Sequence, residues 1–386
     1  MRTIFHILIS CVFAASSWAQ QLVVRVVNPA PFDRQLETVE VPWSDLQGMF
    51  AGSEQNSIAV FDNGKQLVSQ TIDINGNGTP DLLLFQSFFR KGEDKSFVLK
   101  KVDGKVEFPP VTDAKLSLPR RDVAWENDRI AHRIYGSPLA GDVLNGIDVW
   151  VKRVRYRIID NWYAGDSLKG NKRISYHVDH GEGADFFNVG RSLGAGGCAP
   201  WKDSVIHQPG LFVKERIIAT GPIRAMFTVW YEKDTVGGLS FKEEKTYTLD
   251  AGSNLDRIDV RYYDVRPDDR LQFAAGLVKR SKTTRYANEK ECWLSLWGYI
   301  NDDTVNGSLG IGVVLPKASF IEMNEDKDHY LIIGSTSPEK RFRYYAGAGW
   351  TRNGDFSTAD DWNGYLSRFT QRIAYPLRVT VTTISK

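Results

Sequence analysis

Two histidines, two aspartates, a glutamate and an arginine fall within one short run, ISYHVDHGEGADFFNVGR, residues 174–191. Imidazole works as a general base near neutral pH, and a neighbouring carboxylate fixes which ring nitrogen carries the proton. His177 or His180 fits that role, with Asp179 or Glu182 as the orienting acid. The same four side chains also suit a divalent metal, since imidazole and carboxylate are ligands for several. A third reading needs no chemistry: a solvated hairpin whose polar groups satisfy its own turns. Read as a strand, ISYHVD places Ser175, His177 and Asp179 on one face and Ile174, Tyr176 and Val178 on the other. A turn over residues 180–183 and a second strand, sending Asp185, Phe187, Val189 and Arg191 to one side, complete the expected hairpin. A loop with Gly194, Gly196 and Gly197 follows.

Two further segments carry polar groups at telling positions. AWENDRIAHRIYG reads as a hairpin turning at Asn127-Asp128, with Arg129, Ala131, Arg133 and Tyr135 on one face of the return strand. Arg133 beside Tyr135 suits a carboxylate ligand, because the guanidinium fork meets both oxygens. A surface arginine next to a half-buried tyrosine explains the same pattern. In DINGNGTPD, Asp73, Asn75, Asn77 and Asp81 alternate as oxygen ligands do in short calcium loops. The glutamate that closes such loops is replaced by Leu84, so the choice is between a structural Ca2+ and a tight Asx-type turn. GxxxxGK[ST] and HExxH are absent, which weakens nucleotide-dependent and zincin readings.

The elements that must position these groups are strands. Residues 20–115 hold short alternating runs, QLVVRVVN, SIAVFDN, DLLLFQS and KSFVLKK, separated by Asn63-Gly64 and Asp103-Gly104 turns. This small N-terminal β unit ends at a linker around Pro109-Pro110. Residues 116–386 carry longer β-branched and aromatic runs, among them GIDVWVKRVRYRII, IRAMFTVWYEK, LDRIDVRYYDV and LRVTVTTI. So many long strands predict an all-β chain, a large antiparallel β-sandwich with few short helices. One helix is expected late, where Trp362, Leu366 and Phe369 share a face behind an N-cap at Thr358 with Asp361 three residues on.

Composition bounds the partners. Lys and Arg number 49 against 47 Asp and Glu, so neither nucleic acid nor an anionic membrane surface is suggested. Eleven Trp and 15 Tyr supply rings that fill a β core or stack on sugar faces. Arg2, the apolar run Ile4–Ala15 and the small residues Ser17 and Ala19 form a secretory leader over residues 1–19, which places the protein in the periplasm or outside the cell. A rival box, Leu8-Ile9-Ser10-Cys11, would acylate Cys11 and is the sole route to a membrane. Beyond the leader, Cys198 and Cys292 remain, and an oxidising compartment permits one disulfide between them.

Taken together, RRDVAWENDRIAHRIYG, GIDVWVKR, YHVDHGEGADFFNVGRSLGAGG, ATGPIRAMF, YTLDAGSNLD and RYYAGAGW resemble a bacterial family of unknown-function domains that accompanies polysaccharide-degrading enzymes. The likeness spans nearly the whole chain beyond the leader, and the HGEG segment is its most specific part. YTLDAGSNLD also resembles the strands of galactose-mutarotase-like proteins, which implies a β-supersandwich. The family resemblance implies an oligosaccharide dehydratase acting on ulvan-type fragments with a terminal uronic acid, without an organic cofactor. It places His177 and His180 as catalytic residues, and Arg133, Arg191, Asp179 and Glu182 at the substrate, where the hairpin pattern adds Tyr135. Phe187 stands where the family pattern leads one to expect Tyr, so a proton donor at that position is in question. Polysaccharide lyases run the same elimination with a sugar as leaving group. A glycoside hydrolase, using Glu182 with Asp185, and a non-catalytic carbohydrate-binding protein are the alternatives from other classes.

Overall fold

The computed structural model describes residues 21–50, 57–236, 238–266, 271–300 and 304–384. The leader and Cys11 lie outside them. Three sheets share the main core. A nine-stranded sheet runs through Arg224–Trp230, Leu239–Asp250, Leu255–Tyr263, Arg341–Trp350 and Leu309–Val314. Against its inner face pack two five-stranded sheets. One carries Gln272–Val278 and His329–Ser335, and the other carries Asp122–Glu126, Ile130–Ile134 and Asp148–Lys152. Alternation explains the layering: Tyr247, Leu249, Ile258, Val260, Phe342 and Tyr344 turn inward to one continuous cluster while their neighbours turn out. Trp125 from the second sheet meets Phe227 and Tyr247 of the large one at ring separations of 4.9 and 5.2 Å. The protein is therefore an antiparallel β-sandwich, as the strand pattern predicts.

The outer face of the nine-stranded sheet is covered in two pieces. The helix Ala359–Ala374 lies over one half, started by a capping box in which Thr358 accepts from the Asp361 amide and Asp361 accepts from the Thr358 amide. Trp362 and Leu366 are fully buried there. They fit because Gly310 and Gly349 leave room: a Cβ at either would lie within 2.8 Å of the Trp362 ring. Truncating Trp362 to Ala would cost about 3–5 kcal/mol. Over the other half sits the N-terminal unit, two small sheets enclosing their own core of Val24, Val41, Phe85 and Phe97.

The division of the chain differs from the expected boundary at 115/116 in two ways. Asp113–Ser117 already pairs with Asp122–Glu126 of the sandwich, so the change of unit comes before Asp113. At the other end Arg378–Ile384 leaves the sandwich and pairs antiparallel with Gln21–Val27, completing the N-terminal sheet. Cys198 and Cys292 are both buried as free thiols, so the permitted disulfide does not form. Burial pushes the Cys198 thiol up to about 11, and Lys245 pulls against it.

Candidate functional site

The hairpin Asp122–Glu126/Ile130–Ile134 forms as its turn chemistry predicts. Asn127 accepts from the amides of Arg129 and Ile130 through its side-chain oxygen. Register then sets Arg133 directly opposite Asp148 on the next strand. Arg133 is 7 % exposed, and every nitrogen of its guanidinium has a partner. Nε and Nη2 donate to Asp148 Oδ2 at 3.0 and 2.7 Å, Nη2 also donates to Asp185 Oδ2 at 3.0 Å, and Nη1 donates to the Tyr176 hydroxyl at 3.3 Å. Its Cζ lies 5.1 and 4.9 Å from the ring centres of Trp150 and Tyr135. Arg133 and Tyr135 do share a face, but Arg133 is an internal cation and does not reach a ligand. Burial pushes the Asp148 and Asp185 carboxyls up, and Arg133 offsets part of that.

The segment 174–185 closes over this cluster without forming the expected strand. Only Gly183–Ala184 enters a sheet, beside Asp148–Lys152. The cause is local. Asp179 Oδ1 accepts from the amides of Gly181 and Gly183 at 2.8 and 3.2 Å, which turns the backbone where a strand would run straight. Gly183 sits at φ +124°, and a Cβ there would fall 1.9 Å from the Val151 carbonyl oxygen. Asp185 donates its amide to the Tyr176 carbonyl at 2.8 Å, which pins the two ends of the loop.

His177 projects from this loop with its side chain 53 % exposed. Its Nδ1 lies 2.8 Å from the Asp185 carbonyl oxygen and 3.5 Å from the Asp185 carboxylate. A carbonyl only accepts, so Nδ1 carries the hydrogen in the neutral ring and Nε2 keeps its lone pair facing solvent. The ring rests on Tyr176 at 4.5 Å, and Tyr176 stacks on Trp150 at 5.0 Å. The Tyr176 hydroxyl accepts from Arg120 as well as Arg133. Arg120, 40 % exposed, also donates to Asp166 at 3.1 Å, as does the exposed Arg173 at 2.8 Å. Two buried polar atoms nearby have no hydrogen-bond partner among the described residues: Asp122 Oδ2, which is 4.0 Å from Arg133 Nη1, and the Tyr163 hydroxyl. Burial pushes the Asp122 carboxyl up to about 6, with Arg133 pulling the other way.

The remaining expected site residues scatter around this centre. Asp179 pairs with Arg153 at 2.9 Å and Arg352 at 3.7 Å. Glu182 accepts from the Tyr156 hydroxyl at 2.6 Å and Trp162 Nε1 at 2.9 Å. His180 is exposed at the mouth of a small cavity of about 160 Å3, which Trp162, Tyr176 and Glu182 also line. Arg191 donates to the carbonyls of Ala140 and Gly141, on the turn after the Arg133 strand. Phe187 is in the sandwich core, 3 % exposed, so position 187 does not face His177. Asp185 is 2 % exposed beneath Arg133, which withholds it from a glycosidic bond. Asp73 and Asp81 accept loop amides, from Gly76 and Gly78 and from Ile74, and Asn77 accepts from Thr79: stacked Asx turns. Among the described residues no three His, Cys, Asp or Glu gather as metal ligands.

Asp148, Tyr176 and Arg120 are given no chemical role by the candidate motifs of the sequence, and Asp185 is given one there only as a glycosidase carboxylate. One signal was present: DVWVK alternates Asp148, Trp150 and Lys152 against Val149 and Val151, a polar stripe in a strand whose other stripe is core.

A β-sandwich that holds an exposed, singly tethered imidazole above a buried Arg–Asp cluster has the parts of a proton-transfer site. Residues 26–379 match a family model described as a domain of unknown function (DUF4861), and the chain belongs to that family. It is 32 % identical over 385 residues to an uncharacterized protein P7 of Formosa agariphila, covering 94 % of each chain. Among solved structures it is similar to a protein in the glycosyl hydrolase family 38 from Enterococcus faecalis, with TM-score 0.48, 11 % identity and 94 % of this chain covered. An alpha-mannosidase from Enterococcus faecalis V583 matches with TM-score 0.44, 10 % identity and 95 % coverage. This chain spans 47 % and 46 % of those two structures.

Proposed function

We propose that this protein is a carbon–oxygen lyase of the hydro-lyase type, which removes water from the non-reducing-end uronic acid of ulvan-type oligosaccharides and leaves a 4,5-unsaturated uronate. The observation that carries this reading is His177: its Nδ1 is tied to the Asp185 carbonyl at 2.8 Å and its Nε2 is free at the surface, the form an imidazole needs to accept a proton. In the reaction Nε2 takes the C5 proton, the C5–H electrons form the C4–C5 double bond, and the C4–O bond breaks. The departing hydroxyl takes a proton from His180 on the same loop and leaves as water. His177 then returns its proton to solvent and His180 takes one back from solvent, which resets both rings.

The C5 proton is acidic only when the adjacent carboxylate is neutralised, so a cation must face it. Arg133 is committed to Asp148 and Asp185, and its part is to hold Asp185 where that residue fixes the His177 ring. Arg120, at the surface edge of the same cluster, is the carboxylate partner in this reading. No organic cofactor enters, and a periplasmic or secreted location belongs to the same proposal, resting on the leader residues 1–19.

The test is to incubate purified protein with saturated glucuronyl- and iduronyl-rhamnose oligosaccharides, following the ultraviolet absorbance of an unsaturated uronate and product masses. Rising absorbance with loss of one water, abolished in His177→Gln, is the expected result. Rising absorbance with chain cleavage makes the enzyme a polysaccharide lyase. Reducing sugar released without absorbance makes it a hydrolase, and no reaction across uronates leaves a carbohydrate-binding role.

A further inference from the structure

The seam between the N-terminal unit and the sandwich holds a second candidate site, a cleft of about 420 Å3, within the roughly 300–1,000 Å3 range of small-molecule sites. Its floor is the outer face of the nine-stranded sheet. Register sets Thr248, Arg257 and Tyr345 side by side on three adjacent strands, with Asp259 opposite Arg343 one step along. The intervening residues Ile258, Val260 and Tyr344 point the other way, into the core. A sheet face of alternating polar residues normally meets water. Here it is roofed by Arg34–Pro42, whose Glu40 reaches down to Arg224 and Arg257 at 2.7 and 2.9 Å.

Charge and unsatisfied groups both point to an acidic ligand. Five arginines line the cleft, Arg34, Arg224, Arg257, Arg343 and Arg372, against the acids Glu37, Glu40 and Asp250, with Asp259 beside Arg257 and Arg343 on the same face. Thr248 is 3 % exposed, yet its hydroxyl has no hydrogen-bond partner among the described residues. Arg257 Nε is likewise without a hydrogen bond, lying 3.3 Å from Asp259 but off-axis. A buried hydroxyl left unpaired costs about 1–3 kcal/mol, a cost that a ligand oxygen removes. Arg343 has one nitrogen, Nε, on Asp259 at 2.6 Å, and its side chain is 47 % exposed. Tyr345 and Phe369 meet edge to face at 4.9 Å on the same wall and offer an apolar surface to a sugar ring.

We infer that this cleft binds an acidic sugar, its carboxylate or sulfate on Arg343 and Arg257, a ring hydroxyl on Thr248 and its ring face against Tyr345. The inference stands on the cleft alone and does not depend on the reaction assigned to His177. Such a site would hold an acidic glycan across the two units and away from the chemistry.

Calorimetric titration of the whole protein separates the outcomes. The probes are a glucuronic-acid-terminated disaccharide, a sulfated disaccharide and a neutral glucose-terminated disaccharide. At least one acidic probe should bind, more weakly as salt rises, and the neutral one should not. Affinity should fall about tenfold in Arg343→Gln and in the near-isosteric Thr248→Val, with melting temperature unchanged, and stay at the wild-type value in His177→Gln. Which acidic probe binds tells carboxylate from sulfate. Binding lost in His177→Gln but kept in both cleft variants, equal binding of the neutral probe, or no binding of either acidic probe would overturn the inference.

Discussion

Two networks of buried charge lie on the same small sheet, and they are built in opposite ways. The pair Lys152–Glu126 is closed. Both side chains are fully buried, Nζ sits 2.5 Å from Glu126 Oε2 and 2.6 Å from the Asn127 carbonyl, and the carboxylate oxygens take the amides of Ile158 and Ile159. Glu126 thereby caps the helix Ile159–Ser167 from a distant strand, a role that Ile158 at the N-cap cannot fill. The cluster of Arg133, Asp148 and Asp185 is open. It leaves Asp122 Oδ2 and the Tyr163 hydroxyl unpaired and carries an exposed imidazole on its edge. The closed network is saturated, and the open one keeps unpaired polar atoms beside a side chain that meets solvent.

Substitutions can break that contrast in a graded series. The largest effect is expected at the open edge: His177→Gln should lower kcat by about 10²–10⁴-fold while leaving the melting temperature in place, because the side chain is half exposed. A large loss of stability instead would make His177 part of the fold. In the closed network Lys152→Met should lower the unfolding free energy in urea by about 3–5 kcal/mol, since it strands a fully buried carboxylate.

A smaller effect separates the networks by pH. Asp122 titrates at about 6 in the folded chain, above its unfolded value near 4. Its raised value stabilises the fold below pH ~4, and that contribution is lost as pH rises through about 6, by up to ~3 kcal/mol. Asp122→Asn should therefore match the parent in melting temperature at pH 4 and exceed it at pH 7. Equal melting temperatures at both would mean that Asp122 is not isolated from its neighbours. The smallest effect belongs to the cleft. Burial raises the Glu40 carboxyl and Arg224 and Arg257 more than offset this, holding it at about 2, so its contribution is present above pH ~4.5 and lost toward pH 2. Because Glu40 is 37 % exposed, Glu40→Gln should cost no more than about 1 kcal/mol at pH 6 and nothing at pH 2, read from thermal melts.

What the sequence made legible follows the range of the interactions. The 359–374 helix was readable because its cap, Thr358 with Asp361, and its apolar stripe lie within a few residues of each other. The Asp122–Ile134 hairpin was readable from Asn127 and the alternation around it. ISYHVD failed by the same logic. Its polar face promised a strand, but Asp179 offered the amides of Gly181 and Gly183 a nearer acceptor than any neighbouring strand could. The alternation of Arg257 and Asp259 with Ile258 and Val260 announced a two-faced strand. That the outer face meets Glu40 was invisible, because the contact joins residues 217 positions apart. The link between Asp148 and Asp185 stayed hidden for a related reason: Arg133, which joins them, comes from a third segment.

The pairing of Gln21–Val27 with Arg378–Ile384 has a consequence in time. With Gln21 opposite Ile384, the strand Gln21–Val27 waits for synthesis to reach Arg378–Ile384, more than 350 residues on, before both its edges are filled. Until then its outer edge is a row of bare amides and carbonyls, a template that a second growing chain could pair with. A chain shortened before Arg378 would keep that edge permanently, so its natural failure would be strand exchange between copies. Because Gln21 and Ile384 lie side by side, the same geometry also invites a circular permutant, in which a short linker joins these two residues and makes the late pairing local.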